Sequence, residues 1–177
     1  MKKAIFEILR SGSYHFGDTL VRNEDIKSIV TFYDKNLRTA NAVIGHPKSD
    51  EPKHGEALKL YKVDGRVFAE VEIDDELIGK IKNGEISGIS CGIFRRANPE
   101  NPIRGIGTYL KHIGFLLKGK EDPAIKEMID PRASIVHLSD GINFKILDSQ
   151  KEHIDKAEYL QTVANITYKQ ALNLINN

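Results

Sequence analysis

The sequence has a single cysteine, Cys91, so it can form neither an intrachain disulfide nor a paired-cysteine metal site. So little thiol fits a reducing compartment. It also has almost no excess charge: 26 Lys and Arg stand against 25 Asp and Glu, a net charge of +1. That balance builds no polyanion-binding surface, so no nucleic acid partner is expected. No apolar run approaches the about 18 to 20 residues that span a bilayer, so no membrane partner is expected either. The N-terminal "MKKAIFEILR" carries two lysines, but Glu7 and Arg10 interrupt its apolar stretch. It reads as a strand, not a signal peptide. The expectation is an intracellular protein.

What remains is a chain of 177 residues, 40% hydrophobic and 29% charged, enough for one domain with a sizeable core. "AIFEILR" (4–10) reads as a strand and "SGSYHFGDT" as a loop. Residues 23–36 read as a helix capped by Asn23, with Ile26, Ile29, Val30 and Tyr33 at helical spacing. "NAVIG" (41–45) is a short strand entering the polar, Pro-rich loop "HPKSDEPKHG". Residues 56–73 form a hairpin turning at Asp64-Gly65, with Val67, Ala69, Val71 and Ile73 on one face. Residues 74–84 read as a helix ended by Gly84. Strands are expected at 86–94 and 106–119, and a helix at 122–129 with Pro123 in its first turn. A second hairpin is expected at 133–148, and helices from 150 onward. The two hairpins favour antiparallel pairing. The domain reading is 1–149 as one α+β unit and 150–177 as a helical appendage.

The stretch "GEISGISCGIFRR" (84–96) gathers Ser87, Ser90 and Cys91. Strand alternation places Ser87, Ile89, Cys91 and Ile93 on one face and Gly88, Ser90, Gly92 and Phe94 on the other. Cys91 falls in an apolar row, where free cysteines are commonly buried and inert. Ser90 lies between two glycines, which would clear space for a peptide carbonyl. An isolated G-x-S-x-G reads equally as a small-residue packing site. It is a poor match to a hydrolase elbow, because the strand continues through Phe94 instead of turning into a helix at the serine.

A serine needs a base at neutral pH, and the chain has six histidines. His15, His137 and His153 lie in segments where packing or a surface position is the ordinary role. Pro47 biases His46 toward an extended backbone at a strand end. His112 falls in mid-strand, where a partly buried structural histidine is the usual case. A metal reading would combine His46 and His54 with Asp50 or Glu51, at a spacing that matches no established ligand pattern.

Four stretches in this order resemble the prohead (capsid maturation) proteases of tailed phages, relatives in fold of the herpesvirus capsid assembly protease. They are "VIGHP", "HGEALKLYKVDGRVFAEVEI", "IKNGEISGISCGIF" and "YLKHIGFLLKGKEDPAIKEM", and they span about residues 40 to 130. The C-terminal "ITYKQALNLI" resembles a short helix that follows such domains. The resemblance implies a mostly antiparallel β-barrel or closed sheet surrounded by short helices. It implies Ser90 as nucleophile, His46 as general base and His112 as third member, in the order His…Ser…His. Some phage relatives have an acidic third residue. Gly119 and Lys120, in the loop "KGK", match the segment that supplies the oxyanion hole in the herpesvirus relatives, although arginines stand there in those proteins.

The implied activity is that of a serine endopeptidase acting in the host cytoplasm within assembling proheads. Its substrates would be scaffold and major capsid proteins and its own chain. No cofactor and no metal are implied, and relatives often self-associate as homo-oligomers. Two other readings stand beside it: a non-catalytic assembly or scaffold protein on the same fold, and a metal-dependent hydrolase using His46 and His54.

Overall fold

The computed structural model describes residues 1–14, 19–125, 128–135 and 167. Its centre is a six-stranded sheet in the order β1-β6-β5-β4-β8-β7. The strands are β1 (Lys2–Arg10), β4 (Asn41–Ile44), β5 (Lys53–Val63), β6 (Arg66–Ile73), β7 (Ile86–Phe94) and β8 (Tyr109–Leu117). The segment expected as a plain loop after β1 instead holds a two-stranded pair, β2 (Gly12–Tyr14) and β3 (Thr19–Val21).

The sheet is mixed and open, which corrects the expected antiparallel closed barrel. β4 and β8 run parallel, with Asn41 opposite His112 and Ile44 opposite Phe115. A parallel pair needs a long crossover, and the chain between these strands holds a hairpin, a helix and β7. β1 and β7 are the two edges and share no ladder. They nevertheless face one core, in which Phe6 and Ile8 from β1 meet Ile86 and Ile89 from β7. A bond crosses the gap, from Cys91 Sγ to the Ile8 carbonyl at 3.1 Å. Phe6 and Phe115 meet edge to face across the interior at 5.2 Å, a geometry worth about 0.5–1.5 kcal/mol beyond area burial.

The local signals that place the elements are mostly short-range. Asp64 and Gly65 both take left-handed backbone angles, φ 44° and 75°, as a two-residue hairpin turn requires. In α2 (Asp75–Lys82) the Asp74 carboxylate accepts from Leu77 N–H at 2.8 Å, and Gly84 leaves the helix at φ 71°. Helix α1 (Asn23–Phe32) begins one residue earlier than read, with Arg22 as the cap in place of Asn23. Asp25 accepts from Arg22 N–H at 3.0 Å, satisfying that backbone donor from the third helical position. The helix ends at Phe32 because Tyr33 turns extended and its hydroxyl donates to the Ala57 carbonyl.

Two further expectations are corrected. No helix occupies residues 121–125 or 128–130. There Pro123 lies against β7, its Cγ 2.9 Å from where a Cβ at Gly88 would be. A short helix, α3 (Pro131–Ile135), stands at the expected start of the second hairpin. The rest of that hairpin, the helices beyond 150 and the appendage lie outside the described residues, as do His15, His137 and His153.

Candidate active site

The parallel β4–β8 pair sets the position of His46. Gly45 N–H donates to the Phe115 carbonyl at 2.9 Å, one residue beyond β4. Gly45 then takes φ 68°, which redirects the chain. The His46 ring comes to rest over Gly114: a Cβ there would lie 3.2 Å from His46 Cε1. Gly114 is the register partner of Ser90 on β7. Cross-strand neighbours have Cβ atoms about 4.5–5.5 Å apart, so His46 and Ser90 are neighbours through the missing side chain of Gly114. Both line one cavity of about 440 Å³, walled on its apolar side by Leu9, Val21, Ile93 and Ile125. Among the described residues no hydrogen bond joins the Ser90 hydroxyl to His46. Catalytic bonds are often long without substrate.

His112 is two residues from Gly114 on the same face of β8 and directly opposite Gly92. It is 3% exposed, against an open position for His46. His46 Nδ1 and His112 Nε2 are 2.7 Å apart. His112 Nδ1 and Asp50 Oδ1 are 2.5 Å apart. Asp50 is itself buried, with Arg38 Nη2 3.3 Å from its Oδ2 and Lys111 Nζ 3.4 Å from its Oδ1. A carboxylate only accepts, so His112 carries its proton on Nδ1 and accepts on Nε2. His46 must then donate from Nδ1, which leaves its Nε2 lone pair free as a base.

Burial favours the neutral form of both rings. Desolvation lowers the His46 pKa below the ordinary imidazole value, with Glu121 opposing and Lys111 assisting. Desolvation also lowers that of His112, against the raising pull of Asp50 and with help from His46 and Lys111. A neutral imidazole is the form that can take a proton.

The sequence reading of the glycines requires revision. The space beside Ser90 is not left clear for a peptide. At Gly92 a Cβ would lie 2.7 Å from His112 Cε1 and Nε2, and Gly88 lies under Pro123. The glycines admit the chain's own parts. Ser87 is also corrected: it is exposed and not part of a core row. The register shifts between Ile86 and Gly88, and the Ser87 hydroxyl donates to the Leu116 carbonyl at 3.3 Å. Cys91 does face the core, and burial pushes its thiol pKa far up, so it is no thiolate nucleophile.

Gly119 and Lys120 do not line the cavity. Lys120 N–H donates to the Leu117 carbonyl at 3.1 Å inside its turn. His54 is buried and bonded through Nδ1 to Asp74 Oδ2 at 3.0 Å. His46 bonds elsewhere, to His112, and no cluster of three metal-binding side chains occurs among the described residues. Asp50 is the residue that sequence reasoning misses: the sequence offers it only as a metal ligand, and the acidic residue implied by some phage relatives would replace His112, whereas Asp50 stands behind it.

No protein-family model matches the chain, and no curated protein matches its sequence. Among solved structures it is similar to Kaposi's sarcoma-associated herpesvirus protease in complex with a dimer disruptor. That match has 12% identity and a TM-score of 0.43, over 95% of this chain and 92% of that one. It is also similar to the same virus's protease with an allosteric inhibitor, at 12% identity and TM-score 0.43, over 95% and 94% of the two chains. A further dimer-disruptor complex matches at 14% identity and TM-score 0.43, over 94% and 91%. At that TM-score the likeness decides nothing about chemistry, which rests on the side chains.

Proposed function

We propose that this chain is a serine endopeptidase that cleaves phage scaffold and major capsid proteins, and its own chain, during prohead maturation in the host cytoplasm. One observation carries the enzymatic part: the contacts Asp50–His112–His46 engage His46 through Nδ1, which assigns the free lone pair to Nε2, and His46 and Ser90 line one cavity. The substrate class rests on the sequence resemblance across residues 40 to 130.

In this reading the Ser90 hydroxyl proton passes to His46 Nε2 as Oγ bonds to the scissile carbonyl carbon. The tetrahedral intermediate collapses, the C–N bond breaks, and His46 returns the proton to the leaving amine. Water, deprotonated by the same nitrogen, then hydrolyses the Ser90 ester. His112 holds the His46 ring and stabilises the transient imidazolium. The test is co-expression with scaffold and capsid proteins. Ser90→Ala is expected to abolish processing while the fold stays intact, and full processing by that variant would sink the assignment.

The filling of the space at Gly92 and Gly88 by His112 and Pro123 favours a second reading, a non-catalytic assembly or scaffold protein on the same fold. It predicts no reaction of Ser90 with a serine-directed fluorophosphonate.

A further inference from the structure

Asp50 does more than fill a buried position. It lies in the 45–52 loop with a left-handed φ of 58°, a conformation that Asp tolerates better than most residues. The loop is tied down around it. Asn41 Nδ2 donates to the Asp50 carbonyl at 3.3 Å, and Asp50 N–H donates to the Pro47 carbonyl at 3.4 Å. Its two carboxylate oxygens are divided between partners. Oδ2 meets Arg38 and Oδ1 meets His112, with Lys111 also near Oδ1. Arg38 is itself held in place, with its guanidinium 4.6 Å over the Phe94 ring at the end of β7. The carboxylate is thus fixed from outside with one oxygen aimed at His112 Nδ1.

We propose that Asp50 is a positioning residue that acts through His112 to fix the tautomer and orientation of His46, making an Asp50–His112–His46–Ser90 relay. The proposal rests on the serine-hydrolase reading for its catalytic consequence, but not for its tautomers. His112 alone can orient His46 in either of two ways, because a neutral imidazole offers one donor and one acceptor that can exchange. Only an acceptor at Nδ1 makes Nε2 the acceptor and leaves the base on the cavity side of His46. The charged groups around the relay are Arg38 from the 33–40 connection, Lys48 from the 45–52 loop, which lines the same cavity, Lys111 from β8, and Glu121, which lies beside Gly45 and acts on His46.

Asp50→Asn is the informative change, because it keeps the shape and breaks the logic. The amide oxygen turns to the Arg38 fork, which is held over the Phe94 ring, and the NH₂ group faces His112 Nδ1, while the Lys111 ammonium beside that position swings away on its flexible stem. His112 must then accept at Nδ1 and donate from Nε2, and His46 carries its proton on Nε2, where it cannot act as base.

The test uses the full chain labelled with 15N-histidine, at a pH where both rings are uncharged. Long-range proton–nitrogen spectra give the tautomers, assigned with His46→Gln and His112→Gln. The wild type is expected to show the Nδ1–H tautomer for both rings. Asp50→Asn is expected to lose it at both. Its fluorophosphonate labelling of Ser90 should slow by about 10- to 100-fold, the range typical of residues that orient a functional side chain. A slowed reaction that recovers at no pH, with wild-type circular dichroism, separates relay loss from unfolding. An Nε2–H tautomer on wild-type His46 overturns the proposal even if no variant folds. Unchanged tautomers in Asp50→Asn overturn it too. If the tautomers behave as stated but wild-type Ser90 never labels, the positioning of His46 by Asp50 through His112 stands and the protease reading fails.

Discussion

The ring of His112 occupies the place where a side chain of Gly92 would be, 2.7 Å from a Cβ built there. The two residues are register partners across β7 and β8. The absence of a side chain at 92 is therefore what allows the buried histidine to lie between Asp50 and His46. Gly92→Ala is expected to push the ring out of both hydrogen bonds. The overpacking should cost about 1–3 kcal/mol, measured by urea unfolding. Fluorophosphonate labelling of the variant that remains folded should fall further than that loss explains. Labelling at the wild-type rate would separate Gly92 from the site.

Gly79 supplies the opposite case. It lies inside α2 without a left-handed angle, and a Cβ there would meet nothing within 4 Å. Gly79→Ala is expected to stabilise the protein by about 1 kcal/mol through helix propensity and leave Ser90 labelling unchanged. Equilibrium unfolding and the labelling rate check both halves.

Acid is expected to weaken the fold through its histidines. His46 and His112 both have folded pKa values below the ordinary imidazole value. The unfolded chain therefore binds more protons than the folded one as pH falls below about 6.5. Their contribution is fully present above that value and is lost as pH drops through the lowered folded values. The melting temperature should fall between about pH 7 and pH 5, and the fall should be shallower in His46→Ala. A steeper or unchanged slope in the variant would contradict the neutral-ring account.

The sequence exposed the local parts of this structure and concealed the non-local ones. The Asp64-Gly65 turn, the Gly84 helix end and the span of β7 follow from neighbours within a few positions, and all three were legible. The parallel pairing of β4 with β8 joins residues about 70 positions apart, for example Asn41 with His112, and no periodicity encodes it. Alternation assigned Cys91 to the core side but failed at Ser87, because a bulge there inserts an extra residue. Gly88 and Gly92 were visible as small residues. What fills their space, Pro123 and His112, came from other strands and loops. Asp50 sits in a polar loop whose composition favours no structure, and its partner His112 is 62 positions away. The one signal available was an acidic residue four positions after His46.

The most direct measurement is fluorophosphonate labelling of the full chain, read by intact mass and located by fragmentation. The account predicts one adduct, on Ser90, absent from Ser90→Ala. It also predicts labelling slower by about 10²-fold or more in His46→Ala, the lower end of what a general base contributes. An adduct that persists in Ser90→Ala, or wild-type labelling in His46→Ala, would contradict it.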